Sequence, residues 1–218
     1  MDLVELVGVL GNDLTVVNAA RVSTDKMSSV VNEKDEKLIL YLATHNHWTP
    51  FAHVQFQFRM KMPIFVAREW FRSTVGLSRN EVSRRYVDTP PEFWTPKGAW
   101  RGRAENIKQG SGDLLPEEVC QSVTSIYGYS LMIAEEAYRD MLERGVCPEQ
   151  ARAVLPQSMM TEFIETGSLA AYSRIYGLRS DPHAQKEIQE YAHAIGEAIA
   201  PIVPVSWKAL TGGKDTCK

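Results

Sequence analysis

From His53 to Lys61 the chain alternates without a break: Val54, Phe56, Phe58 and Met60 are apolar, and Gln55, Gln57, Arg59 and Lys61 between them are polar. A period of two over this length predicts a half-buried strand, so the fold must contain a sheet. Val4 to Leu10 predicts an opening strand, and Met159 to Thr166, after Pro156, predicts another. Most of the remaining signals are helical. Asn12-Asp13 caps a helix through Leu14, Val17, Ala20 and Arg21, and an acidic start at Glu33 to Glu36 leads a second helix that ends near His45. Pro63 suits the first turn of a third, with Phe65, Val66, Trp70 and Phe71 on one side, Arg68 and Arg72 on the other, and Gly76 ending it. Pro116-Glu117-Glu118 opens a long amphipathic helix to about Arg144, closed by Gly145, and Cys147-Pro148-Glu149 starts a short one. Further helices are expected from Ser168 to Leu178, and from Asp181-Pro182 to near Pro201. A few strands among mostly helices, without regular β-α alternation, predict an α+β fold: a small sheet packed with several helices, one of them long.

The 218 residues can bury one full core, so residues 1–218 are expected to form a single domain. The Pro/Gly-rich excursion from Asp88 to Gly112 is long for a compact domain, which points to a functional or mobile loop. No apolar run approaches the roughly 18 residues of a membrane span, and Asp2 and Glu5 replace a basic signal-peptide start. A cytoplasmic protein with no membrane partner is expected. Cys120, Cys147 and Cys217 are too few and too scattered for a disulfide framework or a zinc site. A net charge of -3 argues against nucleic acid as a partner, because backbone affinity comes from a surplus of Lys and Arg.

Against that acidic balance, one segment is dense in arginine: Arg68, Arg72, Arg79, Arg84 and Arg85 stand against Glu69 and Glu81. The guanidinium fork matches phosphate oxygens, and each charge-assisted hydrogen bond contributes roughly 1.5–3 kcal/mol, enough for a few to hold a nucleotide. A solvated, ion-paired helix face explains the same composition. Arg152 and Arg179 lie among apolar residues, Arg179 at a helix end where it would also stabilise the negative pole. His47, His53 and His183 lack the spacing of a metal site, so no metal is expected. Ser78 and Ser83 have no adjacent histidine base, Cys147 reads as a plain helix cap, and no GxGxxG or P-loop occurs.

The blocks VELVGVLGNDLTVVNAARVS, HNHWTPFAHVQF, PIFVAREWFR, NEVSRRY, ARAVLP and LRSDPHAQKEIQEYA resemble, in order, those of the flavin-dependent thymidylate synthases. The resemblance implies an α+β fold around a small antiparallel sheet, FAD as cofactor, and a homotetramer with active sites shared between chains. It implies reductive methylation of dUMP to dTMP, with NADPH reducing the flavin and methylenetetrahydrofolate supplying the carbon. Arg179 matches the catalytic arginine that stabilises negative charge on the uracil. Glu69, Arg72, Ser83, Arg84, Arg85 and Arg152 match the nucleotide-binding positions. His47, Thr49, Arg72, Ser73, Thr74, Glu81, Ser168 and Arg174 fall at flavin-contacting positions.

The chain departs from the pattern at the arginine segment. The family's Arg-His-Arg reads Arg72-Ser73-Thr74 here, and one extra residue precedes Asn80-Glu81. Glu69 replaces a usual glutamine, Arg84 a common glycine, and Arg174 an asparagine that binds flavin. The altered loop leaves open UMP as substrate, its 2′-hydroxyl meeting a partner such as Glu69. A non-catalytic nucleotide binder that kept the fold is a third reading.

Overall fold

In the computed structural model, which describes residues 3–105 and 110–212, the alternating run becomes strand β2. Asp2, Cys217 and four residues of the 88–112 excursion lie outside the described residues. In chain order the elements are β1 (Val4–Leu10), α1 (Asp13–Arg21), α2 (Glu33–Thr44), α3 (Thr49–Ala52), β2 (Gln55–Pro63), α4 (Ile64–Trp70) and β3 (Leu77–Glu81). They continue with α5 (Glu117–Glu143), α6 (Pro148–Ala151), β4 (Met160–Ser168), α7 (Leu169–Arg179), α8 (Lys186–Ile199) and α9 (Pro204–Thr211). The strands form one sheet in the order β1-β2-β4-β3, and the fold is α+β. β1 runs antiparallel to β2, with Val4 opposite Met60 and Leu10 opposite Gln55 and a register slip between Leu6 and Gly8. Phe56, Phe58 and Met60 are buried, while Gln57 and Arg59 are exposed, as a period of two requires.

Several local expectations need correction. Pro63 closes β2 instead of opening a helix, because the amides after it are claimed by non-local carbonyls: Ile64 N–H donates to Met159 O at 2.9 Å and Phe65 N–H to Gln157 O at 3.0 Å. α4 ends at Trp70, so Arg72 lies in the turn beyond it and shares no helix face with Arg68. Gly76 therefore does not break a helix; its φ of +79° serves the turn that leads into β3. β3 itself, Leu-Ser-Arg-Asn-Glu, has a single apolar residue and sits at the sheet edge, so hydrophobic periodicity carries no trace of it. α3 and α9 were likewise not predicted, and the long helix, the short one after Cys147 and the two later helices fall within a few residues of expectation.

The chain divides into two compact units, Met1–Met60, Phe71–Asn80 and Ile164–Lys218 in one, Lys61–Trp70 and Glu81–Phe163 in the other. In the first, Tyr172 of α7 meets the rings of Phe56 and Phe58 edge-on, at 6.4 and 5.2 Å, amid buried Val16, Ile39, Ile188 and Trp207. Buried Asp35 ties the start of α2 down: it pairs with Arg21 and accepts from Asn32 N–H at 3.2 Å and Ser28 Oγ at 3.3 Å. In the second unit, rings fasten the excursion to α5. Phe65 packs on Trp94 (5.2 Å), Trp94 on Trp100 (6.4 Å) and Trp100 on Tyr127 (5.3 Å). Tyr127 Oη donates to Trp94 O at 2.6 Å, and Trp100 Nε1 to Thr124 Oγ1 at 2.9 Å.

Candidate active site

Within the first unit, the turn after Trp70 is held by its carbonyls. Ser73 O accepts from Arg79 Nη2 at 2.6 Å, Val75 O from Arg174 Nη2 at 2.7 Å, and Gly76 O from Ser168 N–H at 3.2 Å. Arg72 and Thr74 are exposed on this turn and Ser73 is half-buried. Arg79 pairs through Nε with the fully buried Glu165, and its guanidinium lies 5.0 Å from the Phe71 ring. Ser168 caps α7: its Oγ accepts from Ala171 N–H at 3.2 Å. Arg179 is the last residue of α7, half-buried, with its Nε shielded from solvent.

His47 owes its position to the end of α2. Asn46 adopts a left-handed φ of 57°, its N–H donates to Ala43 O at 3.2 Å, and His47 N–H donates to Leu42 O at 2.8 Å. This is a Schellman closure with asparagine in the place usually given to glycine. The chain then turns into α3, leaving Trp48 60% exposed and His47 and Thr49 exposed beside it. His47, Trp48, Asn46, Ser173 and Arg174 line a cleft of about 340 Å³. A second hollow, of about 660 Å³, shares His47 and Leu42 with it and adds Thr49, Arg21, Ser23 and Lys26. An indole, an imidazole and guanidinium groups along two adjoining hollows offer π faces and positive charge, the donor set that a flat aromatic cofactor with a pyrophosphate requires. The residues present fit a flavin nucleotide. Trp48 and Asn46 are additions to the residues singled out from sequence; an asparagine just past a helix end was the available signal.

In the second unit, Ser83, Arg85 and Arg152 come together around Glu149, which sequence reasoning did not single out. Arg85 N–H and Nε face Ser83 Oγ at 3.3 and 3.4 Å, and Arg85 Nη1 lies 3.9 Å from Glu149 Oε1. Arg152 Nε donates to the Glu149 carbonyl at 3.3 Å. Both arginines are exposed, so a cationic surface results with one carboxylate inside it. Arg84 turns elsewhere, donating to Thr89 O within its own loop. Glu81 ends β3 with its carboxylate accepting from Thr161 Oγ1 at 2.6 Å, and Glu69 is half-buried on α4. Cys147 caps α6 without a side-chain bond to the backbone; its thiol lies 3.8 Å from Gln150 Oε1, a partner the sequence reading did not identify. Among the described residues no group of three or more His, Cys, Asp or Glu could hold a metal, and no helix is long and apolar enough to cross a membrane.

Comparison with known proteins bears on this arrangement. Residues 5–205 match the family described as thymidylate synthase complementing protein. The flavin-dependent thymidylate synthase of Thermosipho africanus is 40% identical over 205 residues, 94% of this chain and 89% of that protein. That of Thermus thermophilus is 43% identical over 208 residues, 95% of this chain and 74% of that protein. Among solved structures, the UMP/dUMP methylase PolB from Streptomyces cacaoi bound with 5-Br dUMP aligns with a TM-score of 0.86 at 30% identity, covering 96% of this chain and 94% of that one. The same methylase bound with 5-Br UMP aligns with a TM-score of 0.85 at 30% identity, covering 96% and 93%.

Proposed function

The chain belongs to the flavin-dependent thymidylate synthases, and from that premise we propose that it is a cytoplasmic enzyme converting dUMP to dTMP by reductive methylation at C5. In this reading FAD is the flavin, NADPH its reductant and methylenetetrahydrofolate the carbon donor. The observation that carries it is the extent of the match: residues 5–205 run through both compact units, which supports one catalytic domain over 1–218.

The flavin is assigned to the paired hollows, with His47, Thr49 and Arg174 along them and Ser73, Thr74 and Arg72 on the neighbouring turn. Ser168, the cap of α7, and Glu81, at the end of β3, are assigned to the flavin by the resemblance. Bound flavin supplies, once reduced, the hydride that completes the methyl group. The chain's own contribution is to bind and polarise. Arg85 and Arg152 take the nucleotide phosphate with Ser83, Glu149 keeping their forks oriented until it arrives, and Arg72, Arg84 and Glu69 complete the nucleotide contacts. Arg179 faces the uracil and stabilises negative charge on its N3/O4 side, which raises electron density at C5. A homotetramer completes the sites; the exposed Ile126, Tyr129 and Ile133, three and four residues apart on α5, support burial against other copies.

Reconstitution with FAD tests the proposal: a yellow protein bleached by NADPH, with dTMP formed from dUMP and methylenetetrahydrofolate, is the expected result. A preparation that binds FAD and leaves dUMP unchanged would refute it. A second reading, UMP as substrate, is favoured by the Streptomyces cacaoi methylase having been solved with 5-Br UMP, and turnover of UMP in place of dUMP would establish it.

A further inference from the structure

We infer that Arg79 and Glu165 are positioning residues, which fix the shape of the Arg72–Gly76 turn that the proposed function places against its ligands. The turn carries Ser73 and Thr74 where the resemblance leads one to expect a histidine and an arginine, and the segment is one residue longer. A longer turn without those side chains needs another hold, and the chain supplies one from β3 and β4.

Glu165 is fully buried in β4, where an unpaired carboxylate would be very costly, and Arg79, its side chain 14% exposed, neutralises it through Nε. The same guanidinium spends Nη2 on Ser73 O at 2.6 Å and rests its face on Phe71 at 5.0 Å. Because the fork is planar and rigid, fixing Nε on Glu165 also fixes where Nη2 points. Arg174 does the corresponding work at Val75 O, 2.7 Å away. In a trans peptide the N–H lies opposite the carbonyl, so drawing Ser73 O and Val75 O toward the arginines turns the N–H groups of Thr74 and Gly76 the other way. The ion pair therefore sets the direction of the Ser73–Thr74 peptide, close to Arg72, and Arg174 sets that of Val75–Gly76.

The test separates charge, fold and turn. Three variants are compared, Arg79→Lys, Arg79→Met and the double change Arg79→Met with Glu165→Leu, by hydrogen exchange on protein without added ligand and by steady-state kinetics on the reconstituted enzyme. Arg79→Met removes the cation that neutralises a buried carboxylate and should lower the melting temperature, which the double variant, with no charge to bury, should recover. Arg79→Lys keeps the charge and loses the fork. In all three, exchange at the Leu77 and Ser168 amides, which donate to Thr74 O and Gly76 O of the turn, should rise by about tenfold or more, and the nucleotide KM should rise about tenfold while kcat changes less. Normal protection of these two amides in the double variant, or full rescue by Arg79→Lys, would overturn the inference. So would a loosened turn with unchanged KM. Failure of the unaltered protein to methylate either nucleotide would instead count against the activity, since the exchange measurement needs no substrate.

Discussion

Thr161 Oγ1 donates to Glu81 Oε1 at 2.6 Å, a bond between neighbouring strands β4 and β3 that holds the carboxylate at the strand end in one orientation. Glu81 is otherwise exposed, and an exposed glutamate without such a donor samples many rotamers. A hydrogen bond to a charged group contributes roughly 1.5–3 kcal/mol, so Thr161→Val should weaken flavin binding by about tenfold in a fluorescence titration. Thr161→Ser, which keeps the hydroxyl, should bind as the parent does. Equal affinity of the valine variant would remove Glu81 from the flavin site.

Asp13 caps a helix that begins far along the chain. Its carboxylate, 6% exposed, accepts from Val205 N–H at 3.0 Å and from Ser206 N–H at 2.9 Å, the first turn of α9. The N-cap of α9 is Val203, which has no side-chain oxygen to offer, so Asp13 does this work from α1. Asp13→Ala should leave one buried and one half-buried amide without an acceptor and cost about 2 kcal/mol, read as a lower urea midpoint at unchanged slope. Asp13→Asn should recover part of the loss, since its amide oxygen still accepts.

These two contacts mark where sequence reading stops. Asn12, Asn32 and Ser168 act as caps within three residues of themselves, and the alternation over 53–61 is a local pattern, so the helices after the first two caps and the central strand were legible. Ser168, which the sequence pattern makes the first residue of its helix, is its cap. β3 was invisible because an edge strand of mostly polar residues shows no apolar alternation, and α9 because its cap is supplied from α1. Pro63 misled for the same reason: the amides of Ile64 and Phe65 answer to carbonyls near residue 158, not to a helix of their own. At the site, arginine density and the ordered blocks singled out Arg72, Ser83, Arg85 and Arg152, but not Glu149. Glu149 between two arginines and Glu165 beneath Arg79 arise from tertiary placement, which residue type alone does not reveal.

Tyr172 gives the fold an alkaline limit. Burial first, and then the negative charge of Glu165 and a hydrogen bond with it, push the phenol well above the ordinary 10.0, and burial followed by Glu190 raises Tyr191 in the same direction. Well below pH 10.0 both tyrosines are protonated in the folded and unfolded chain, and their contribution is intact. As pH rises beyond that, the unfolded chain ionises first, the folded state binds the extra protons, and stability falls by about 1.4 kcal/mol per pH unit for each tyrosine. Urea melts at a series of alkaline pH values should show this decline, and Tyr172→Phe should make it shallower by one tyrosine's share. An unchanged slope in that variant would mean that Tyr172 ionises as readily folded as unfolded.

Arg179 offers the sharpest separation of binding from chemistry. It ends α7 with its Nε shielded, whereas the hollows assigned to the flavin are lined from α7 by Ala170, Ser173 and Arg174, at least one helical turn earlier. Removing its side chain should therefore leave the flavin in place. A guanidinium that stabilises charge developing on the uracil acts in the transition state, and loss of one such donor costs about 10²–10³ in kcat. For Arg179→Ala the expectation is a yellow protein with the parent's flavin affinity, bleached by NADPH, whose methylation rate falls by at least that factor. Lysine at 179 should restore charge without the planar fork and recover only a small part of the rate. Loss of flavin from the alanine variant would reassign Arg179 to cofactor binding, and retained turnover would leave the polarisation of the uracil to another residue.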